Sequence, residues 1–197
     1  MKKRLINTLA VLLILALSVG IGFVYSRYDI EKKKKEYPRS YQADVTALSY
    51  TYSVPVSVIY ASVKVRSDFD PAKRTDDGKT GLLQLTAEQY YRFEDELGGR
   101  ASDPGLLYEP ATNLRLGICW ISGLFAKYGS WDTVYAAMYA GEETVDGWIG
   151  ADEQTDGDET RRFLSSVPDG ETSEYVKLMK KTVKIYSELY ESAGILN

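Results

Sequence analysis

The chain has 197 residues, 24 basic against 28 acidic for a net charge of −4, with no histidine and a single cysteine. That length holds one domain with a proper core plus a short appendage, and the charge balance gives no global drive toward nucleic acid. The missing histidines exclude Ser-His-Asp and Cys-His nucleophiles and imidazole zinc sites, and one cysteine excludes an intramolecular disulfide, so acid–base chemistry falls mainly to carboxylates.

At the N-terminus, Lys2, Lys3 and Arg4 precede an uncharged run over residues 5–26. As a helix that run is about 33 Å long, enough to cross the hydrocarbon core of a bilayer. A cleaved signal peptide is the rival, because Ala16-Leu17-Ser18 passes as a weak processing site. The apolar stretch continues past it through Val19, Ile21, Phe23 and Val24, which favours an uncleaved anchor. We read residues 1–26 as a cytoplasmic n-region and a single transmembrane signal-anchor helix. Residues 27–40, charged and with Pro38 near their end, read as a linker with no apolar periodicity to bury. Arg27 and Lys32 to Lys35 put more positive charge after the anchor than before it, which taken alone keeps the following domain in the cytoplasm.

Residues 41–197 read as one helical domain. Its first segment is ambiguous: Val54, Val56 and Val58 alternate as in a strand, whereas Pro55 and the Ile59–Val63 spacing favour a helix. Thr86-Ala87-Glu88-Gln89 fits a capping box that opens a helix after a turn at Gly81. Leu114, Ile118, Ile121 and Phe125 recur at helical spacing between Asn113, the expected N-cap, and Gly129, with Cys119 packing in the same run. Ser130 is placed to cap a helix carrying Trp131, Val134 and Met138 and ended by Gly141. The acidic stretch over residues 150–159 lacks the EF-hand spacing and reads as a solvated, mobile loop. Tyr175, Met179, Val183, Tyr186 and Tyr190 line one face of a final helix that stops near Gly194.

Four ordered motifs sit on this framework. They are Ser57-Val58-Ile59-Tyr60-Ala61-Ser62-Val63-Lys64-Val65-Arg66-Ser67-Asp68-Phe69-Asp70-Pro71 with Gly81-Leu82-Leu83-Gln84-Leu85, then Leu107-Tyr108-Glu109-Pro110-Ala111-Thr112-Asn113-Leu114-Arg115-Leu116-Gly117, then Ala136-Ala137-Met138-Tyr139-Ala140-Gly141, and last Val167-Pro168 with Glu171-Thr172-Ser173-Glu174-Tyr175-Val176. In this order and at these distances the chain resembles the soluble lytic transglycosylases. That resemblance implies an all-α, lysozyme-like fold of the goose type, and it settles the Val54–Val65 ambiguity as a buried helix ending at the active site. It also implies peptidoglycan glycan strands as the substrate, no metal and no organic cofactor. The family's single glutamate protonates the glycosidic oxygen and then, as carboxylate, helps the muramic C6 hydroxyl attack C1.

Aligned on these motifs, the glutamate position is Arg66, whose guanidinium stays protonated and serves as neither acid nor base. Met138 and Tyr139 fall where the family has tyrosine and asparagine. Ser67, Gly81, Leu82, Gln84 and Tyr175 keep the family's residue types, with Leu83 in place of methionine. These residues, with Arg66, Met138 and Tyr139, make up the expected substrate-binding set. Arg66 is either a recruited contact for ligand carboxylates or the product of drift, paired with a nearby acid.

Among the carboxylates, Asp68 faces away from Arg66 on a helix, Asp70 is placed to cap or turn, and Asp76 and Asp77 sit in a solvated turn. Glu142 and Glu143 follow the Ala-Gly motif, which makes Glu142 the leading substitute acid, although both also suit a helix start. The resulting expectation is a single-pass membrane protein with its domain on the extracytoplasmic side, catalytically degenerate, binding glycan strands or a cell-wall protein partner. Two alternatives stand: an active muramidase with a relocated acid such as Glu142, and a membrane-bound protein–protein adaptor.

Overall fold

The computed structural model describes residues 2–100, 102–156 and 163–191, with backbone alone at 2–16, 152–156 and 191. The chain divides into two units at Pro38 and Arg39. The first is a single helix, α1 (Lys2–Glu36). The charged stretch expected to be a linker is therefore helical through Glu36, and only residues around Pro38 leave the helix. Lys33 pairs with Asp29 at 2.9 Å and Lys34 with Glu31 at 3.2 Å, one helical turn apart, which helps a Lys- and Glu-rich segment stay helical without an apolar face. Among the described residues no helix is long and apolar enough to cross a membrane. The expected anchor lies largely in residues 5–16, whose side chains are outside the description. Its later part, from Leu17 through Tyr25, exposes Leu17, Val19, Ile21, Phe23 and Val24.

The second unit is all helical among its described residues. Helices α2 (Gln42–Tyr52), α3 (Val56–Ser67), α4 (Ala87–Glu96), a 3₁₀ turn (Pro104–Tyr108), α5 (Pro110–Tyr128), α6 (Trp131–Ala140), α7 (Glu142–Asp156) and α8 (Glu171–Tyr186) follow in order, with a π turn at Ser187–Glu191. The strand-prone segment is α3, and its burial explains its composition: Val58, Ile59, Tyr60, Ala61, Ser62 and Val63 are all buried. Helix α8 packs along α3, and α6 packs against both α5 and α8. A helix covered on most sides tolerates valine because packing outweighs the modest helix propensity of β-branched residues. Two of its buried hydroxyls are satisfied within the helix, Ser62 Oγ donating to Val58 O at 2.8 Å and Ser67 Oγ to Val63 O at 3.0 Å.

Other expected boundaries hold or move for identifiable reasons. The capping box at Thr86 forms with both of its hydrogen bonds. Ser130 occupies the N-cap of α6, but its side chain makes no capping bond. Asn113 is not the N-cap of α5; Pro110 at the first position starts that helix one turn earlier. Residues 150–156, expected in a loop, continue α7, which extends beyond its buried Val145 and Ile149. The last α-helix ends at Tyr186 and gives way to the π turn, while Gly194 lies outside the described residues.

Candidate functional site

The site begins with the loop between α3 and α4. Gly81 has φ +78°, and a Cβ there would run into Asn113 Nδ2 and the Leu107 carbonyl, so only glycine fits. Asn113, fully buried on α5, staples the loop from below. Its Nδ2 donates to Thr80 O at 2.9 Å and Leu107 O at 2.8 Å, and its Oδ1 accepts from Leu83 N at 2.7 Å. Gly117, one turn further along α5, leaves room for the Leu83 side chain. Thr80 and Leu85 exchange backbone hydrogen bonds at 2.9 and 3.0 Å, which closes the loop on itself. Gln84, a non-glycine residue at φ +51°, is held by two side-chain bonds, Nε2 donating to Gly81 O at 2.6 Å and Lys73 O at 3.1 Å. Its Oε1 is buried with no hydrogen-bond partner.

Arg66, in the last turn of α3, reaches into the ring of backbone this loop makes. Nε donates to Leu83 O at 2.7 Å, Nη2 to Gln84 O at 3.0 Å, and Nη1 to Met138 O on α6 at 2.9 Å and to the Tyr175 hydroxyl on α8 at 3.5 Å. The guanidinium also lies 5.3 Å from the centre of the Trp120 ring. Four of its five N–H groups thus meet neutral acceptors from three segments of chain. Among the described residues Arg66 is therefore bonded to carbonyl and hydroxyl oxygens and not paired with an acid, and one N–H group remains.

Around the guanidinium opens a cleft of about 540 Å³ lined by Val65, Arg66, Thr75, Lys79, Gln84, Met138, Tyr139, Tyr175 and Leu178. Two of these are cations and none is a carboxylate. On the loop side, Lys79 Nζ lies 2.6 Å from Asp77 Oδ2, and Thr75 Oγ1 also donates to Asp77. Hydrogen bonds from Lys79 and then Thr75 hold the Asp77 carboxyl down at about 2. On the opposite side, the Tyr139 and Tyr175 rings lie 5.0 Å apart at 32°, and exposed Leu178 extends the apolar wall. The Tyr139 hydroxyl donates to Glu171 Oε2 at 2.7 Å, and that bond pushes its phenol above the ordinary value.

The fold therefore brings together five of the expected residues, Arg66, Gln84, Met138, Tyr139 and Tyr175. Ser67 is buried with its hydroxyl turned back into α3, and Leu82 and Leu83 belong to the core. Gly81 shapes the loop from behind. Sequence reasoning missed Val65, Thr75, Lys79 and Leu178. Leu178 was findable, being one turn from Tyr175 on the same helix. Thr75 and Lys79 carry no periodic signal, because a turn places them.

Glu142 starts α7, as its acidic character suggests, and is not a lining residue of the cleft. It lies between Arg92 Nη2 at 3.4 Å and Lys127 Nζ at 3.6 Å. Asp68 pairs with Lys64, and Asp70 Oδ1 accepts from Ala72 N at 2.9 Å as a turn-former. Among the described residues no group of His, Cys, Asp or Glu could hold a metal ion. Chemically, the cleft offers hydrogen-bond donors, positive charge and an aromatic wall. Among the described residues that line it, none is a carboxylate, the group expected to give and take a proton near neutral pH.

The family model for the transglycosylase SLT domain matches residues 45–160. The soluble lytic murein transglycosylase of Escherichia coli K12 is 26% identical over 148 residues, covering 73% of this chain and 22% of that protein. Its Salmonella typhimurium counterpart is 26% identical over 151 residues, with the same coverage. In structure, the 70-kDa soluble lytic transglycosylase of Escherichia coli superposes with a TM-score of 0.71 at 22% identity, over 83% of this chain and 26% of that one. An inactive mutant of the Pseudomonas aeruginosa lytic transglycosylase, with one glutamate changed to glutamine, gives 0.69 at 23% identity, over 82% and 26%. A 70-kDa soluble lytic transglycosylase in complex with bulgecin A gives 0.70 at 23%, over 79% and 25%. The chain spans about a quarter of the length of these relatives.

Proposed function

Since the chain belongs to the transglycosylase SLT domain family, we propose that it is a lytic-transglycosylase-like protein that binds peptidoglycan glycan strands and does not cleave them. Residues 1–26 anchor it in the cell membrane, and the domain lies on the extracytoplasmic side, where its ligand is. The observation that carries this reading is the cleft itself, with Arg66 hydrogen-bonded at its floor and no carboxylate among its described lining residues. A lone-acid mechanism needs a group whose two protonation states are both accessible, and arginine has one. What supports glycan as the ligand is the combination of family, the tilted Tyr139–Tyr175 ring pair on one wall and the polar loop opposite.

A relocated acid is the weaker reading. Glu142 is paired with Arg92 and Lys127, and a catalytic carboxyl has to sit within hydrogen-bond reach of the glycosidic oxygen. The adaptor reading draws only on the positive charge of Arg27 and Lys32 to Lys35 after the anchor, which taken alone favours a cytoplasmic domain.

The test incubates the full-length protein in detergent with purified sacculi. Co-sedimentation without soluble muropeptides is the expected outcome. Release of anhydro-muropeptides, or failure of the folded protein to sediment, sinks the proposal. Protection of the domain from protease in intact spheroplasts would overturn its orientation.

A further inference from the structure

Arg66 brings a positive charge to the floor of the cleft with no acid beside it. Among the described residues it bonds only to neutral oxygens, Lys79 is the other lining cation, and no lining residue is a carboxylate. The Lys79–Asp77 pair is open to water, its side chains 37% and 54% exposed, so it exchanges readily with a competing anion. Two cations in one concave site make a field suited to an anion of more than a single charge.

Geometry narrows which anion. A planar carboxylate is held best by the arginine fork, through two parallel N–H groups. That fork is engaged here: Nε donates to Leu83 O, Nη1 to Met138 O and the Tyr175 hydroxyl, and one Nη2 hydrogen to Gln84 O. What remains are single donors from three elements. They are the last Nη2 hydrogen of Arg66 on α3, the Lys79 ammonium on the loop, and the Tyr175 hydroxyl on α8, which accepts from Arg66 and has its own hydrogen still to donate. A tetrahedral phosphoryl group presents oxygens in separate directions and carries about two negative charges near neutral pH. The organic part of the ligand has partners as well. Gln84 lines the same cleft, is 4% exposed, and its Oε1 has no hydrogen-bond partner, so a ligand N–H or O–H would satisfy it. The tilted Tyr139–Tyr175 pair with Leu178 offers apolar surface to the face of a sugar ring.

We propose that this cleft is a phosphosugar site. Arg66, Lys79 and Tyr175 donate to the phosphoryl oxygens, with Lys79 exchanging Asp77 for the ligand, and Gln84 Oε1 accepts from a hydroxyl or amide of the sugar. The phosphate ester is carried either by a glycan strand, in which case the proposal rests on the glycan-binding reading above, or by a free sugar phosphate. The chemistry of recognition is the same for both.

The test is calorimetric titration of the full-length protein in detergent, at low salt and without phosphate buffer. The probes are N-acetylglucosamine 6-phosphate, N-acetylglucosamine and glucuronic acid. The phosphosugar should bind about tenfold tighter than N-acetylglucosamine and also tighter than glucuronic acid, and 0.5 M NaCl should shrink both margins. Lys79→Met and Tyr175→Phe should each weaken phosphosugar binding about three- to fivefold, the size of one exposed polar contact. Asp77→Asn should strengthen it, because the competing anion is gone, and that opposite sign excludes a general loss of structure as the cause. Co-sedimentation with glycan strands bearing phosphate esters, before and after their removal by hydrofluoric acid, identifies the source. A preference lost on removal places the phosphoryl group on the strand; no preference, with the monosaccharide still selected, places it on a free sugar. Phosphosugar binding no tighter than N-acetylglucosamine or glucuronic acid, or unchanged in both Lys79→Met and Tyr175→Phe, overturns the phosphoryl site and leaves glycan binding standing if strands still sediment. Phosphosugar binding by protein that sediments with neither strand preparation sinks the glycan reading alone.

Discussion

Replacing Arg66 by methionine keeps much of the side-chain volume and removes the guanidinium from between α3, the 81–85 loop and α6. Three backbone carbonyls, of Leu83, Gln84 and Met138, then lose a charged donor at 2.7 to 3.0 Å. A hydrogen bond to a charged group is worth about 1.5–3 kcal/mol when buried. Arg66 is half-buried at an open cleft, so water replaces part of each bond, and about 1 kcal/mol apiece gives roughly 3 kcal/mol in all. For a domain of this size each kcal/mol moves Tm by about 2–4 °C, so Arg66→Met should melt about 6–12 °C lower by circular dichroism at 222 nm. Arg66→Glu should fall further, because its carboxylate faces the same three carbonyl oxygens that now hold a cation. The ordering wild type, methionine, glutamate is the diagnostic result. A melting point for Arg66→Met within about 1 °C of wild type, or Arg66→Glu more stable than Arg66→Met, would refute the idea that this site has been rebuilt around arginine.

Other positions give sharper single tests. Gly81→Ala combines a left-handed backbone with a collision against Asn113 and the Leu107 carbonyl, and should cost more than about 3 kcal/mol in urea unfolding; Gly117→Ala meets only the Leu83 side chain and should cost less. Asn113→Ala leaves the Leu83 N–H and the Thr80 and Leu107 carbonyls without their partner, a loss of about 2–4 kcal/mol that the same unfolding curves would reveal. Asp77 titrates at about 2 in the folded protein against 3.8 for the ordinary carboxyl, so its stabilising contribution is present above about 3.8 and is lost as pH falls through 2. A carboxyl NMR titration should place its midpoint there, and Lys79→Met should move it back up; an unmoved midpoint would remove Lys79 as the cause.

What the sequence disclosed, and what it hid, follows from the range of each interaction. Gly81 and the Thr86 capping box are local, so a few consecutive residues announce them. The four motifs placed α3, α5, α6 and α8 in order and led to Met138, Tyr139 and Tyr175 on the wall of one cleft. Arg66 was visible as an anomaly, but its partners at Leu83, Gln84 and Met138 are carbonyl oxygens, which carry no signature of residue type. Asn113 was misplaced as a cap for a similar reason. Its short polar side chain suits an N-cap, and only the approach of a loop thirty residues away shows that it staples that loop instead. Glu142 was chosen by proximity along the chain, whereas the fold turns it toward Arg92 and Lys127. Lys79 and Thr75 reach the cleft because a turn positions them, and a turn read from sequence looks like solvated surface.

The central claim is that the cleft binds glycan without cutting it. The most direct measurement is mass spectrometry of a defined peptidoglycan tetrasaccharide incubated with stoichiometric full-length protein, after binding has been verified on the same sample. Intact tetrasaccharide after prolonged incubation is the expected result. Appearance of a 1,6-anhydro product from the wild-type chain, absent from a heat-denatured control, would contradict it.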